Sequence, residues 1–420
     1  MNFTVWAPEG TTNHGDPTLY CVRPRWHDQA TFFATNYLIH VATIPSAPGE
    51  TWIETVSKMI ACLLLPSFGI TRAAPRIAAL AGRERDDLLR AKKAGALCMV
   101  IRSGFAKDDS LPHSLGIATL ARWGRRHPGN WDKDRECRIT KTFSEMPSIV
   151  SNRTIHGVVK LPKGYELAQV PASVRLRPYK GDNLGDVSIG STYNILKALF
   201  GVFQSIVAGI TLYRSRGDQL DRFGYAAFGL SVAPYITMSV ANLLGSVLCP
   251  EYPAMYLVHT PDMDLALQDP DAQFEGVVAS LDTDPTGDAP CELETEASLR
   301  QIVTTVIAIV LTVTPIAIMG AISRFRRGKS TLTERGWIVS WIAAGAALSV
   351  MAQIMRLANI LRRRSMTNDW VIRCREQTSA EYVRERVMMF LICALLWSPG
   401  VGGFVIVSYM LNEYGVCTKV

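Results

Sequence analysis

Apolar residues are gathered in this chain into long blocks, not spread at a simple helical or strand period. Five blocks run almost without charge: 194–213, 223–249, 302–322, 336–355 and 387–411. A helix needs about 20 apolar residues to cross a hydrocarbon core of roughly 30 Å, where every backbone polar group must be bonded internally. The five blocks are therefore expected to be transmembrane helices. Tyr193 and Tyr213 bracket the first, as interfacial aromatics do, and Lys197 sits in its first turn, close enough to snorkel. The second contains Pro234 near its middle, which predicts a kink. Pro399, Gly400, Gly402 and Gly403 in the last allow it to be a broken helix.

Upstream the pattern is weaker. The run 31–44 is short and contains Asn36 and His40, while 52–71 contains Glu54, Lys58 and Pro66 around an apolar centre. Each reads as a tilted span, a re-entrant segment or an interfacial helix. Residues 83–103 begin charged and end apolar, which predicts a helix partly exposed to water and resting on the membrane surface. From 104 to 190 Pro and Gly recur among short β-prone pieces at 155–160 and 172–176, giving a small extramembrane unit without a large core of its own. The expected fold class is an all-α membrane protein: a polytopic bundle of five strong transmembrane helices plus one or two N-terminal ones. Its expected regions are an N-terminal segment (1–71), a basic and largely extramembrane region (72–190), and a bundle (191–420) interrupted by an acidic loop (250–300).

Charge sharpens the partition. Residues 251–299 hold 12 acidic side chains and no Lys or Arg, so a total of +7 leaves +19 on the rest of the chain. Loops 214–222 and 323–335 carry three and five basic residues. By the positive-inside rule these two face the cytoplasm and the acidic loop faces outside. Strict alternation then places 356–386 outside too, although it holds eight basic residues. Nothing in residues 1–21 has the basic and apolar regions of a cleavable signal, so insertion is expected to be directed by an internal span.

Candidate chemistry is sparse. The nine cysteines include no CxxC pair, and a structural metal site is not expected. Cys249 and Cys291 bracket the acidic loop and are the candidate disulfide if that loop is lumenal. Asn152 begins a glycosylation sequon under the same condition. Asp262 and Asp264, and again Asp282 and Asp284, have the spacing of metal–nucleotide carboxylates, but an EF-hand reading of 282–293 fails because Leu293 stands where a bidentate Glu is required. Gly328, Lys329, Ser330 and Thr331 imitate the end of a phosphate loop without its earlier glycine. Gly201, Ser205 and Gly209 in the first block, and Gly229, Ala233, Thr237, Ala241 and Gly245 in the second, form small-residue stripes at four-residue steps, the pattern of helix–helix seams. The strong spans contain no Asp, Glu, His or Arg, which argues against an acidic proton relay. Their polar candidates are Gln204, Asn242 and Gln353.

Several stretches resemble a group of fungal multi-pass membrane proteins of unknown function. The main one is RGDQLDRFGYAAFGLSVAPYITMSVANLLGSVLCPEYPAMYLV at 216–258, joined by HDQATFFATNYLIHVAT at 27–43, AGALCMVIR at 94–102 and HGVVKLPKGYELAQVP at 156–171. The resemblance implies a fungal membrane protein with the N-terminal apolar run inside the fold, and it carries no site residues. The expected role is transport or sensing of a small ligand, with no catalytic residues and no cofactor. The alternatives are a membrane enzyme acting on a lipid or hydrophobic substrate through the acidic-loop carboxylates, and a structural or assembly protein. Expected partners are the bilayer, further copies or partner helices, and no nucleic acid, in the plasma membrane or an endomembrane.

Overall fold

A computed structural model describes residues 11–14, 18–102, 135–139, 150, 153–162, 165–172, 174–179, 188–281, 290–365, 370–374 and 379–419. Five helical stretches are long and apolar enough to cross a membrane: Ile195–Arg214, Phe228–Leu248, Glu296–Ser323, Leu332–Ala358 and Ala394–Tyr414. They coincide with the five apolar blocks. Large apolar side chains form an outer belt, with Leu196, Leu199, Phe203, Ile206 and Ile210 all exposed on one of these helices alone. Such a belt is an aggregation hazard in water and the normal surface against lipid tails.

In chain order the helices are α1 (Trp26–Phe33), continued through a π-helical turn (Ala34–Leu38) into α2 (Ile39–Val41), then α3 (Trp52–Leu64), α4 (Pro66–Ala79), α5 (Asp87–Ala94), α6 (Ile195–Arg214), α7 (Asp218–Phe223), α8 (Ala233–Leu248), α9 (Pro261–Ala266), α10 (Pro290–Ser323), α11 (Leu332–Ser365) and α12 (Ser379–Tyr414). The strands are β1 (Leu19–Val22), β2 (Leu97–Arg102), β3 (Arg135–Ile139), β4 (Val159–Lys160), β5 (Tyr165–Gln169), β6 (Leu176–Pro178), β7 (Tyr256–His259), β8 (Gln273–Phe274), β9 (Val277–Leu281), β10 (Trp370–Cys374) and β11 (Val416–Lys419).

Contacts sort the bundle into two ends. At one, β1 pairs antiparallel with β11 and a disulfide joins Cys21 to Cys417. Arg222 there pairs with Glu413 at 2.5 Å, and the Tyr225 N–H donates to the Arg326 carbonyl at 2.8 Å. The loops that follow α6 and α10 therefore sit at the same end as β1 and β11. At the opposite end Lys197 pairs with Glu251 at 3.1 Å, and Arg76 donates to the carbonyls of Ser46 and Cys249. The α1–α2 segment runs the full distance between these ends. Its Gln29 bonds Asn412 and Ser408, while the Ser46 N–H donates to Glu251. The run that could be read as a tilted span, a re-entrant segment or an interfacial helix thus lies alongside the long helices from end to end.

Helices α3 and α4 do not. They are bent by 119° at Leu65, so the chain turns back on itself. Pro66 causes the break: it starts α4, has no N–H to continue α3, and disfavours a helical Leu65. A helix ending inside the bundle leaves its last carbonyls unbonded. The Tyr235 hydroxyl donates to Leu63 and the Trp341 indole N–H donates to Leu64 at 2.9 Å, which supplies the missing partners. Both outer ends of this hairpin lie at the Lys197–Glu251 end of the bundle, since Lys58 donates to the Pro45 carbonyl and Arg76 to Ser46.

The same end carries a five-stranded mixed sheet in the order β5-β2-β7-β9-β6, parallel across β2-β7-β9 and antiparallel at both edges. The chain is therefore not all-α. Residues 83–103 are not one surface helix either. Asp86 caps α5 by accepting from Leu88 and Leu89, and Gly95, with φ of 74°, stops it in the left-handed conformation. The following apolar run is a strand with both faces covered. Leu97, Met99 and Ile101 pack with Ala91 and Val258 on one side, and Cys98 and Val100 pack with Leu257 and Met263 on the other. Because β7 and β9 come from the acidic stretch, the basic 72–190 region and the 250–300 loop share one core. The boundary at 190 cuts through it, and the loop is not a purely solvated one. β3 also pairs antiparallel with β10, which joins the 72–190 region to the basic 356–386 stretch.

Two local expectations are revised. Pro234 kinks nothing: it lies in the first turn of α8, preceded by 3-10 turns, where a proline needs no hydrogen bond. The last block is not broken at Pro399, because α12 is continuous from Ser379 to Tyr414.

Candidate functional site

One group of buried polar residues in the bundle lies on the seam where the π turn and α2 face α6 and α8. Asn36, His40 and Thr43 lie about one turn apart on the first segment, and all are buried. His40 Nδ1 is 2.7 Å from Ser239 Oγ on α8. Gln204 Nε2 on α6 donates to the Ile39 carbonyl at 2.8 Å, and Asn242 Nδ2 on α8 donates to Thr43 Oγ1 at 3.4 Å. Thr43 in turn donates to the His40 carbonyl at 2.7 Å. Four side-chain atoms of this seam are sealed from solvent and have no hydrogen-bond partner: Asn36 Oδ1, His40 Nε2, Gln204 Oε1 and Asn242 Oδ1. Ser246 Oγ, one turn further along α8, is a fifth. A buried polar group left unbonded costs about 1–3 kcal/mol, so five along one seam are not there for stability. The π turn beside Asn36 is the kind of helix irregularity that recurs at functional sites.

The seam has different surroundings at its two ends. Toward the disulfide it meets a block of rings, in which Tyr37 packs on Tyr235 at 4.9 Å and on Phe404 at 5.1 Å, and Trp341 packs on Phe404 at 4.8 Å. Toward the sheet it meets charge. Lys197 reaches Ser46 and Glu251, and Arg76 holds the chain after Cys249. Beside these lies a buried ion pair, Glu50 with Lys58 at 2.5 Å, and Arg72 stands 3.7 Å from Glu50. Burial works to raise the Glu50 carboxyl. The Lys58 hydrogen bond, the Ala47 N–H and the charges of Lys58 and Arg72 together outweigh it and hold the group below the usual carboxylate range.

Of the polar residues singled out in the sequence, Gln204 and Asn242 meet in this seam, whereas Gln353 is buried on α11, which packs against α4, α10 and α12. Asn36 and His40 were marks against a span in the sequence; Ser239 on α8 makes His40 tolerable there, and Asn36 bonds the Phe32 carbonyl of its own segment. The small-residue stripes hold in part. Ala233 and Ala241 are fully buried, Gly201 lies against Thr43 and Leu243, and Gly245 lies against Arg76 and Ala73. Gly229 packs on Gln219 and Ser215 from a 3-10 turn. The buried stripe of α6 is Gly201, Gln204, Ala208 and Leu212, so Ser205 and Gly209 stand to one side, and nothing lies within 4 Å of a Cβ built on Gly209.

Other candidates disperse. Cys249 is a free, buried thiol against Ala79 and Ala81, so it forms no disulfide with Cys291. Among the described residues Cys21 is bridged to Cys417, a pairing not expected from the sequence. Asn152, Asp282 and Asp284 lie outside the described residues. Asp262 and Asp264 do not converge on one metal: Asp262 is buried, while Asp264 points outward to His259 at 2.8 Å. Thr331 does not cradle phosphate but caps α11 in a reciprocal pair with Glu334. Among the described residues one trio offers three clustered metal-binding atoms, His14, Cys21 and Cys417. Its sulfurs are joined to each other, and both His14 nitrogens are engaged, by the Tyr414 carbonyl at 2.7 Å and Arg222 at 3.0 Å. It is a clasp between the chain ends. Comparison with known proteins adds no relative, since no family model, no curated protein and no solved structure matches the chain.

Proposed function

We propose that this chain is a six-span integral membrane protein that binds and passes a small polar solute through the seam around His40. The observation that carries the reading is the set of unpartnered polar atoms at the interface of three helices. An ionisable side chain at membrane depth, unneeded for stability, is by default a functional group. The re-entrant α3–α4 hairpin adds to it, because backbone that ends within the hydrocarbon depth is tolerated only inside protein or beside a polar path.

The threading follows from the two ends. The α1–α2 segment, α6, the Phe228–Leu248 stretch, α10, α11 and α12 cross, and the α3–α4 hairpin enters and leaves on the sheet side. Both chain termini and loops 214–222 and 323–335 then face one compartment. The sheet, the acidic stretch and 356–386 face the other. Disulfides persist in oxidising compartments, which supports a reading with the Cys21–Cys417 clasp outside the cytoplasm and the sheet within it. Charge does not decide between the two orientations: the eight basic residues of 356–386 favour this one, and the three of 214–222 with the five of 323–335 favour its reverse. The disulfide is therefore what supports the reversal of the orientation expected from the two short loops.

Access to the seam separates this reading from a purely structural bundle. Single cysteines at Asn242 and Ser246 are expected to react with a small cationic methanethiosulfonate applied from the sheet side of reconstituted vesicles. The same reagent applied from the disulfide side should not reach them, because the Tyr37, Trp341 and Phe404 rings intervene. Labelling that occurs only after denaturation would show the seam to be closed packing and nothing more.

A further inference from the structure

Resting on that reading, we propose that the seam selects a small solute that carries N–H or O–H donors and no negative charge. The assignment comes from which end of each amide is already in use. Asn36 Nδ2 donates to the Phe32 carbonyl at 3.0 Å, and Gln204 Nε2 donates to the Ile39 carbonyl at 2.8 Å. A carbonyl can only accept, so neither amide can be turned over. Thr43 Oγ1 spends its proton on the His40 carbonyl, so it accepts from Asn242, and that amide too is fixed with its nitrogen as donor. The three atoms left over are therefore all acceptor oxygens: Asn36 Oδ1, Gln204 Oε1 and Asn242 Oδ1. His40 Nε2 is the fourth unpartnered atom of these residues, a donor or an acceptor according to how the ring shares a proton with Ser239.

The surroundings reinforce the preference. Residues 31–44, 198–213 and 233–248, which form the seam walls, contain no Lys or Arg, and the nearest cations, Arg76 and Lys197, stand at its sheet end, engaged by Ser46, Cys249 and Glu251. A carboxylate or phosphate would set its own oxygens against three unpaired oxygens in a low-dielectric interior, and both sides would remain unsatisfied. A solute with several donors satisfies the protein and itself together. The site is also small, because Gly201 brings α6 close enough that an added Cβ would lie 3.6 Å from Leu243 and 3.8 Å from Thr43. Amide, amine or small polyol chemistry fits this description, and anionic metabolites do not.

The test uses the full chain in proteoliposomes and three radiolabelled probes of similar size: acetamide, methylammonium and acetate. Acetamide and acetate differ mainly in that acetate has no donors and bears a charge. Uptake of acetamide or methylammonium is expected to exceed that of acetate by on the order of a hundredfold after subtraction of protein-free vesicles, as for a site built to bond donors that meets a solute lacking them. Asn242→Leu and Gln204→Leu should each bring uptake to background while the melting temperature changes little, because the loss of each amide's one interhelical bond is offset by removal of its buried unpaired acceptor. A residue that only held the helices together would show the opposite, a lower melting temperature with uptake per folded protein unchanged, and that result would overturn the proposal. Preferred uptake of acetate would overturn the donor assignment and leave the carrier reading standing. Uptake of none of the three would sink both.

Discussion

Lys58→Met is expected to destabilise the protein by about 3–5 kcal/mol, enough to prevent most of the chain from folding, because it strands a buried carboxylate. Glu50 and Lys58 are each only 3% exposed at their side chains. Removing the ammonium leaves Glu50 with the Ala47 N–H and with Arg72 at 3.7 Å, which is partner enough to orient it but not to neutralise it. The pair is a liability as much as a support, since two charges withdrawn from water regain in mutual attraction little more than they lose. The double variant Glu50→Gln with Lys58→Met is therefore expected to recover most of the loss, and a melting curve in detergent reads both. The pH dependence has a definite sign. The Glu50 carboxyl is depressed by folding, so the unfolded chain binds its proton more readily than the folded one. Its contribution is complete above the ordinary carboxylate value of 4.5 and is lost as pH falls through the lower folded value. In Glu50→Gln that acid-side loss should be smaller than in the parent.

Gly403→Leu and Gly402→Leu should each abolish the folded state by a different route. These glycines lie within the continuous α12, so backbone freedom is not what they provide. They provide contact: a Cβ on Gly402 would collide with the Trp337 ring and one on Gly403 with the Trp341 ring. Gly400 likewise lets α12 touch the hairpin tip, where a Cβ would lie 2.5 Å from the Leu64 carbonyl oxygen. Overpacking a filled interior costs about 1–3 kcal/mol for modest insertions and more when several atoms have no room. Trp341 cannot retreat without breaking its bond to Leu64, so the hairpin tip is expected to loosen along with α12. Gly209→Leu is the control, because nothing lies within 4 Å of that position. It should melt like the parent protein, and equal damage from all of these substitutions would discredit the packing described here.

The apolar blocks were legible because a run of about 20 uncharged residues has few other fates. For 52–71 the sequence left a tilted span, a re-entrant segment and an interfacial helix equally open, and the turn at Pro66 is visible only in the structure. The sheet was harder to see. Leu97–Arg102 is a short apolar run, which cannot be told from a buried helix by periodicity, and the partners of Met99 in the sheet are Ala168 and Val258, far off in sequence. Cys21 and Cys417 are 396 positions apart, a spacing with no local signature, whereas Cys249 and Cys291 drew notice by flanking a loop. Asn36 and His40 counted against a span because a polar side chain is costly in lipid. That penalty applies to an isolated helix and is reduced once Ser239 and the other seam residues are packed against it. Gln204 and Asn242 could be named from sequence, but their convergence on the α1–α2 segment could not.

The threading is tested most directly by labelling with a membrane-impermeant maleimide, using single cysteines at Ala47, Arg85, Lys160, Arg216 and Leu332. In intact cells the cysteines at Arg216 and Leu332 should react. Those at Ala47, Arg85 and Lys160 should react only in inside-out vesicles, all three together. If Ala47 and Arg85 are labelled from opposite sides, α3 and α4 cross the membrane and the hairpin is wrong. If Lys160 is labelled together with Arg216, the two-ended arrangement itself fails.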